Sequence, residues 1–71
     1  MESYVIPDNL KITLAAARVN ANLTQEEAAS LMNVAKSTLV SWEKGRTAPT
    51  VIQAERLYEI YHRPKDSITF V

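Results

Sequence analysis

The chain has 71 residues, of which 46% are apolar, so it can form one domain with a single modest core. It has no cysteine, which excludes disulfides and thiolate metal sites, and His62 could hold a metal ion only if several carboxylates converged on it. Eight basic residues balance eight acidic ones, so a surface that binds an anionic polymer would have to be local.

The sequence gives no sign of a membrane protein or an enzyme. No stretch approaches the roughly 18 apolar residues of a membrane span, and the start MESYVIPDN lacks the basic-then-apolar order of a secretory signal. We therefore expect a cytoplasmic protein. No nucleophile has a base at catalytic spacing, so we predict no catalytic residue, no cofactor and no metal.

The first part of the chain predicts an arm followed by a helix. Residues 1–12 are predicted to be an extended arm, because residues 3–6 form a short, β-prone run that Pro7 stops. Thr13 offers a hydroxyl that can cap a helix from Leu14 to Ala21. Asn22 then stands where a helix end needs a left-handed backbone.

The second helix pattern has a strong start signal. Thr24 and Glu27 make a capping box, which predicts a helix from Gln25 to Met32. Asn33 follows at a position where the backbone is expected to turn left-handed. Three apolar side chains of this helix are expected to face inward: Ala28, Leu31 and Met32.

The third helix is predicted from Lys36 to Lys44. Gly45 follows it, and glycine is preferred at the position just past a helix. Leu39 and Trp42 are three residues apart and therefore point to one side. Trp42 could in principle stack on a base, but this spacing favours a place in the core.

The last part of the chain predicts one full helix and a short one. Thr50 and Gln53 form a second box-like cap. The apolar face of this fourth helix is expected to contain Ile52, Leu57, Ile60 and Tyr61. Pro64 can begin a short fifth helix with Asp66 in its first turn, and residues 67–71 alternate like a strand.

Three motifs stand in order along the chain: L-T-Q-E-E-A-A at 23–29, S-T-L-V-S-W-E-K-G at 37–45 and P-T at 49–50. With them, the stretch from Leu14 to Tyr61 resembles the Cro/repressor class of helix-turn-helix regulators. The resemblance implies an all-α, compact, four- to five-helix, lambda-repressor-like domain with short extended termini. We divide the chain into an arm (1–12), the DNA-binding domain (13–63), and a short helix with a tail (64–71).

The chain departs from the pattern of this class at two places. Asn33 stands where a glycine is most frequent, and Ala35 stands where a serine or threonine usually caps the third helix. The missing cap would cost about 1 kcal/mol and favours fraying at that end. Ala29 keeps the small residue that lets the second and third helices meet.

The resemblance also implies roles for individual residues. The second helix of this class lies across the DNA backbone, and the start of the third enters the major groove. Four side chains are expected to read bases: Lys36, Ser37, Thr38 and Ser41. Four more are expected to contact phosphates: Gln25, Lys44, Arg46 and Thr47. Arg18 and Glu43 are implied to form an ion pair between the first helix and the end of the third.

Each of these residues also has a simpler interpretation. Gln25 and Glu26 could be polar residues on an exposed helix start, and Lys36 with Ser37 could be a solvated first turn. Tyr4 and Phe70 could contact a partner or could pack at an edge of the domain.

We predict a sequence-specific regulator of transcription that binds double-stranded DNA, typical of a phage or mobile-element repressor or Cro-like protein. A homodimer on a palindromic operator is expected, through either residues 68–71 or the exposed side of the fourth helix. The alternative is a protein-interaction module on the same fold, such as an antitoxin-like or anti-repressor subunit. The charges of residues 22–50 sum to zero, which favours this alternative.

Overall fold

The computed structural model describes residues 10–70. Within them lie, in chain order, β1 (Ile12–Thr13), α1 (Leu14–Asn20), α2 (Gln25–Met32), α3 (Lys36–Glu43), α4 (Val51–Ile60) and β2 (Ile68–Thr69). None of the helices in this part of the chain is long and apolar enough to cross a membrane. Most of the predicted arm, including Tyr4, lies outside the described residues.

Threonine side chains fix where three of the helices begin. The hydroxyl oxygen of Thr13 caps α1 by accepting a backbone hydrogen bond of 3.1 Å. In α2 the Thr24 hydroxyl accepts from the backbone N–H of Glu27 at 3.0 Å, and the Glu27 carboxylate accepts from the backbone N–H of Thr24 at 2.9 Å. Thr50 and Gln53 repeat this arrangement at the start of α4. All three predicted caps are confirmed.

The turns between these helices also follow the sequence. Asn22, Asn33 and Gly45 have φ values of 60°, 59° and 72°, so each adopts the left-handed backbone expected at a helix end. Ala35 precedes α3 and provides no side-chain hydrogen bond to it. The start of α3 is therefore the uncapped end that the sequence predicts.

The core lies between the four helices and β2. Its buried apolar side chains are Leu14, Ala17, Ala28, Ala29, Met32, Leu39, Trp42, Leu57, Tyr61 and Ile68. Trp42 is thus part of the interior, as its spacing from Leu39 predicts. Ala29 is buried on α2, which packs against both α3 and α4.

Two side chains that we expected to be in the core lie at the surface. Leu31 is 48% exposed and Ile52 is 77% exposed. The buried side of α2 passes through Ala28, Ala29 and Met32, and Leu31 lies beside that stripe. Ile52 comes five residues before Leu57, which places the two about 140° apart around α4. Both expectations are wrong for this reason.

The fifth helix that we expected from Pro64 is also wrong, because residues 64–67 form a turn. Asp66 has a φ of 65°, a left-handed value that a right-handed helix does not contain. Both the backbone N–H and the hydroxyl of Ser67 donate to the carbonyl oxygen of Pro64, at 3.2 and 2.6 Å. The described residues thus contain four helices, and the predicted all-α architecture is confirmed without the fifth helix.

The strand-like pattern of the tail is real, but the strand pairs within its own chain. β2 runs parallel to β1, with Ile12 opposite Ile68 and Thr13 opposite Thr69. Beyond it, the rings of Phe70 and Tyr58 meet edge to face with centroids 6.0 Å apart. Phe70 thus packs at the edge of the domain.

Candidate nucleic-acid interface

The outward side of α3 carries the side chains that the sequence assigns to base reading. Leu39 is fully buried, and Ser37 and Ser41 lie about 160° away from it around the helix. Lys36 and Ser37 are exposed, whereas Thr38 and Ser41 are half-buried. This hydrophilic edge stands at the surface because the opposite side of α3 is fixed in the core.

A largely buried ion pair lies at the other end of α3. The guanidinium of Arg18 donates from Nε to Glu43 Oε2 at 2.7 Å and from Nη2 to Oε1 at 3.5 Å. The two side chains are 14% and 7% exposed. Arg18 also donates from Nη1 to the carbonyl oxygen of Leu23 at 2.9 Å. The pair implied by the resemblance is thus present, and it connects α1 to the end of α3.

Gln25 completes this group, which we call the Arg18 cluster (Arg18, Gln25, Glu43). The Gln25 amide donates from Nε2 to Glu43 Oε1 at 3.0 Å. The first residue of α2 is therefore fastened to the last residue of α3, although the chain separates them by 18 positions. An amide has two N–H groups, so one is left to reach a phosphate.

A second ion pair lies at the start of α3. Lys36 Nζ is 2.9 Å from Glu26 Oε2, and the side chains are 52% and 66% exposed. The hydrogen bond from Lys36 is the main cause that lowers the pKa of Glu26, followed by a backbone hydrogen bond at the start of α2. The pair joins the first turn of α2 to the first turn of α3.

The three remaining residues expected at phosphates follow α3 directly. Lys44, Arg46 and Thr47 are all exposed. Neither cation forms an ion pair with a residue in the described part of the chain. Their charge is thus presented to solvent one turn beyond the hydrophilic edge of α3.

A family model described as helix-turn-helix matches residues 14–67, which is about three quarters of the chain. The chain belongs to the Cro/C1-type helix-turn-helix family. The members of this family are DNA-binding regulators of transcription and not enzymes. Searches of curated proteins and of solved structures found no match.

In this helix-turn-helix protein, α2 and α3 are the paired helices, and the left-handed Asn33 makes the turn between them. From the sequence, Glu26 was interpreted as a polar residue without a specific partner, whereas the structure pairs it with Lys36. A signal was available: Glu26 and Lys36 carry opposite charges on the first turns of two helices joined by a three-residue connection. Such starts come close together when the helices cross.

Proposed function

We propose that this protein is a repressor or Cro-like regulator of a phage or mobile element, which recognises a specific sequence in double-stranded DNA. The observation that carries the proposal is the hydrophilic edge of α3, whose opposite side is held in the core by Leu39 and Trp42. A helix fixed in this way can enter the major groove without rearrangement.

The side chains of this edge have the chemistry that base reading requires. Lys36 can donate to the O6 and N7 acceptors of guanine. The hydroxyls of Ser37, Thr38 and Ser41 can donate or accept, and the methyl group of Thr38 can contact the methyl group of thymine. These four residues set the base preference in our proposal.

Phosphate contacts set the orientation and the affinity. Lys44 and Arg46 supply positive charge beside the groove, and Thr47 supplies a hydroxyl. Gln25 lies at the start of α2, where exposed backbone N–H groups also favour an anion. Because the Arg18 cluster uses Arg18 and Glu43 internally, neither contributes its full charge to this surface.

The proposed active form is a homodimer on a palindromic operator, with half-sites about one helical turn apart. Val51 and Ile52 at the start of α4 are 76% and 77% exposed, and they support α4 as the contact between two copies. Ile68 is 4% exposed and packs in its own core, so the tail would have to open before it could serve.

Selection of bound duplexes from a random pool tests the function. We expect one preferred, symmetric sequence, whose affinity falls as salt rises. Lys36→Gln should relax the preference at one position of each half-site. Arg46→Gln should weaken all sequences alike and reduce the salt slope by about one unit.

A second candidate is the protein-interaction module, which is favoured by the ion pairing of Lys36 in the middle of the proposed reading surface. If selected and random duplexes bind equally weakly at every salt concentration, this candidate replaces DNA recognition. Equal effects of Lys36→Gln and Arg46→Gln on all sequences would overturn the division between reading and anchoring.

Light scattering after size exclusion, with and without operator DNA, tests the dimer. Ile52→Lys should reduce the mass of the complex from two copies per operator to one below saturation, and it should abolish cooperative binding. Val19→Lys makes the same change at an exposed apolar position on α1 and serves as the control. If both variants assemble like the unmodified protein, α4 is not the contact.

A further inference from the structure

We propose that Glu26 is a specificity-determining residue. On DNA of arbitrary sequence it neutralises the charge of Lys36, and at the operator Glu26 and Lys36 together select one guanine·cytosine pair. This inference rests on the proposed function. Glu26 belongs to α2, the helix to which we give only a phosphate contact, so the role is additional to the reading set on α3.

Glu26 and Lys36 lie at the starts of two helices that are consecutive in the chain. Glu26 is the second residue of α2 and Lys36 is the first residue of α3, and their charged groups are 2.9 Å apart. Both helices are held by other contacts, α2 by its capping box and the end of α3 by the Arg18 cluster. The pair can therefore open and close by side-chain rotation alone.

The closed pair reduces the positive charge that this surface presents to DNA. While the pair is closed, the ammonium of Lys36 is compensated by a carboxylate of its own chain. A phosphate has to compete with that carboxylate for Lys36, and it is also repelled by Glu26. Arbitrary DNA therefore gains little from Lys36, whereas Lys44 and Arg46 attract every sequence.

A guanine·cytosine pair can replace the contact between Glu26 and Lys36. In the major groove a guanine·cytosine pair presents the O6 and N7 acceptors of guanine beside the N4 amino donor of cytosine. An ammonium matches the first group and a carboxylate matches the second. The ammonium of Lys36 can thus donate to guanine while the carboxylate of Glu26 accepts from cytosine of the same base pair, so both charged groups keep a hydrogen-bond partner.

The experiment compares Glu26→Gln, Lys36→Gln and the double variant with the unmodified protein. Asp66→Asn is the matched control, because it removes one exposed carboxylate from the turn before β2, suits the left-handed backbone there, and changes the net charge equally. Fluorescence anisotropy measures binding to the selected operator, to a scrambled duplex, and to operators changed at each position, all at 50 and 200 mM salt.

We expect Glu26→Gln to bind the scrambled duplex more tightly at 50 mM salt. This gain should include about one additional phosphate contact, so over the rise to 200 mM its affinity should fall about threefold more than that of the unmodified protein. The ratio of operator to scrambled affinity should fall. Glu26→Gln and Lys36→Gln should lose preference at the same guanine·cytosine pair, and the double variant should lose little more.

Three outcomes would overturn the inference: an unchanged salt slope and affinity ratio in Glu26→Gln, the same changes in Asp66→Asn, or loss of preference at different positions in Glu26→Gln and Lys36→Gln. If the unmodified protein selects an operator and any of these occurs, only the role of Glu26 fails. If the unmodified protein selects no sequence, the proposed function and this inference fail together.

Discussion

The two ends of α3 each carry an ion pair, and the pairs differ in burial. At the C-terminal end, Glu43 meets Arg18 and Gln25 in a place with little access to water. At the N-terminal end, Lys36 and Glu26 meet in the open. A buried pair is hard to break because one partner left alone keeps an uncompensated charge, whereas an exposed pair exchanges readily with water. One end of α3 is thus held while the other can change partners.

The largest expected effect comes from breaking the buried end. Glu43→Gln leaves the Arg18 guanidinium without a carboxylate, so we expect the free energy of unfolding to fall by about 3 kcal/mol. Urea titration measures this change through the fluorescence of Trp42, which is the only tryptophan and is buried. Glu59→Gln, which removes an exposed carboxylate on α4, should have nearly the same free energy of unfolding as the unmodified protein. Equal stability of Glu43→Gln would show that the cluster does not hold α3.

Alkaline pH tests the interior beside that cluster. Burial raises the pKa of Tyr61 to about 12, and the nearby charge of Glu43 adds to the rise. The pKa of this phenol in the unfolded chain is about 10. Stability is therefore unaffected below pH 10 and falls as the pH rises toward 12, because the phenol ionises more readily in the unfolded chain. We expect a loss of up to about 2 kcal/mol over this range.

Tyr61→Phe isolates this contribution, since other groups titrate in both proteins. The buried Tyr61 hydroxyl has no hydrogen-bond partner among the described residues, so the variant should be at least as stable at pH 7. Unfolding of both proteins in urea at pH 9 and pH 11 gives the comparison. Parallel losses in the two proteins would contradict the assignment to Tyr61.

A smaller gain is expected from capping the open end of α3. Ala35 has the extended backbone of a capping residue, with φ −69° and ψ 149°, but lacks an oxygen. Ala35→Ser should therefore increase the free energy of unfolding by about 1 kcal/mol and slow hydrogen exchange in the first turn of α3. Thr24→Ala, which removes an existing cap from α2, should have the opposite sign. No gain in Ala35→Ser would mean that this turn is already held by other contacts.

The smallest effect on stability is expected at the exposed pair. Since Lys36 lowers the pKa of Glu26, the contribution of the carboxylate is present at neutral pH and is lost as the pH falls below the ordinary value of 4.5. At pH 7 the urea midpoint of Glu26→Gln should lie only slightly below that of the unmodified protein, because both groups are hydrated and their pairing contributes little. A shift comparable to that of Glu43→Gln would erase the difference between the two ends.

The sequence predicts well those features that depend on neighbouring residues. Thr13, Thr24 and Thr50 cap helices through backbone groups only three positions away, so the helix starts are readable from the chain. Asn22 and Asn33 turn left-handed for equally local reasons. The predicted ends of the helices agree with the structure to within one residue where Asn20 and Glu43 close α1 and α3.

Features that depend on distant partners could not be predicted in this way. The exposure of Leu31 and Ile52 depends on which side of α2 and α4 the other helices cover. The turn at Asp66 replaces a helix because the chain has to bring Ile68 back to Ile12. At the proposed DNA surface, residue types predicted the edge of α3. The opposite charges of Glu26 and Lys36 were a local signal of their contact, but its geometry depends on how α2 and α3 cross.

The pairing of β1 with β2 has a consequence for the order of folding. It joins the two ends of the described chain, so almost all of that chain forms the loop that has to close. Loop closure is slower when more chain lies between the contacts, whereas α2 and α3 are separated by only three residues. We expect the helix pair to assemble early and the strands to meet late, so the proposed DNA-binding face takes shape while β1 and β2 are still apart.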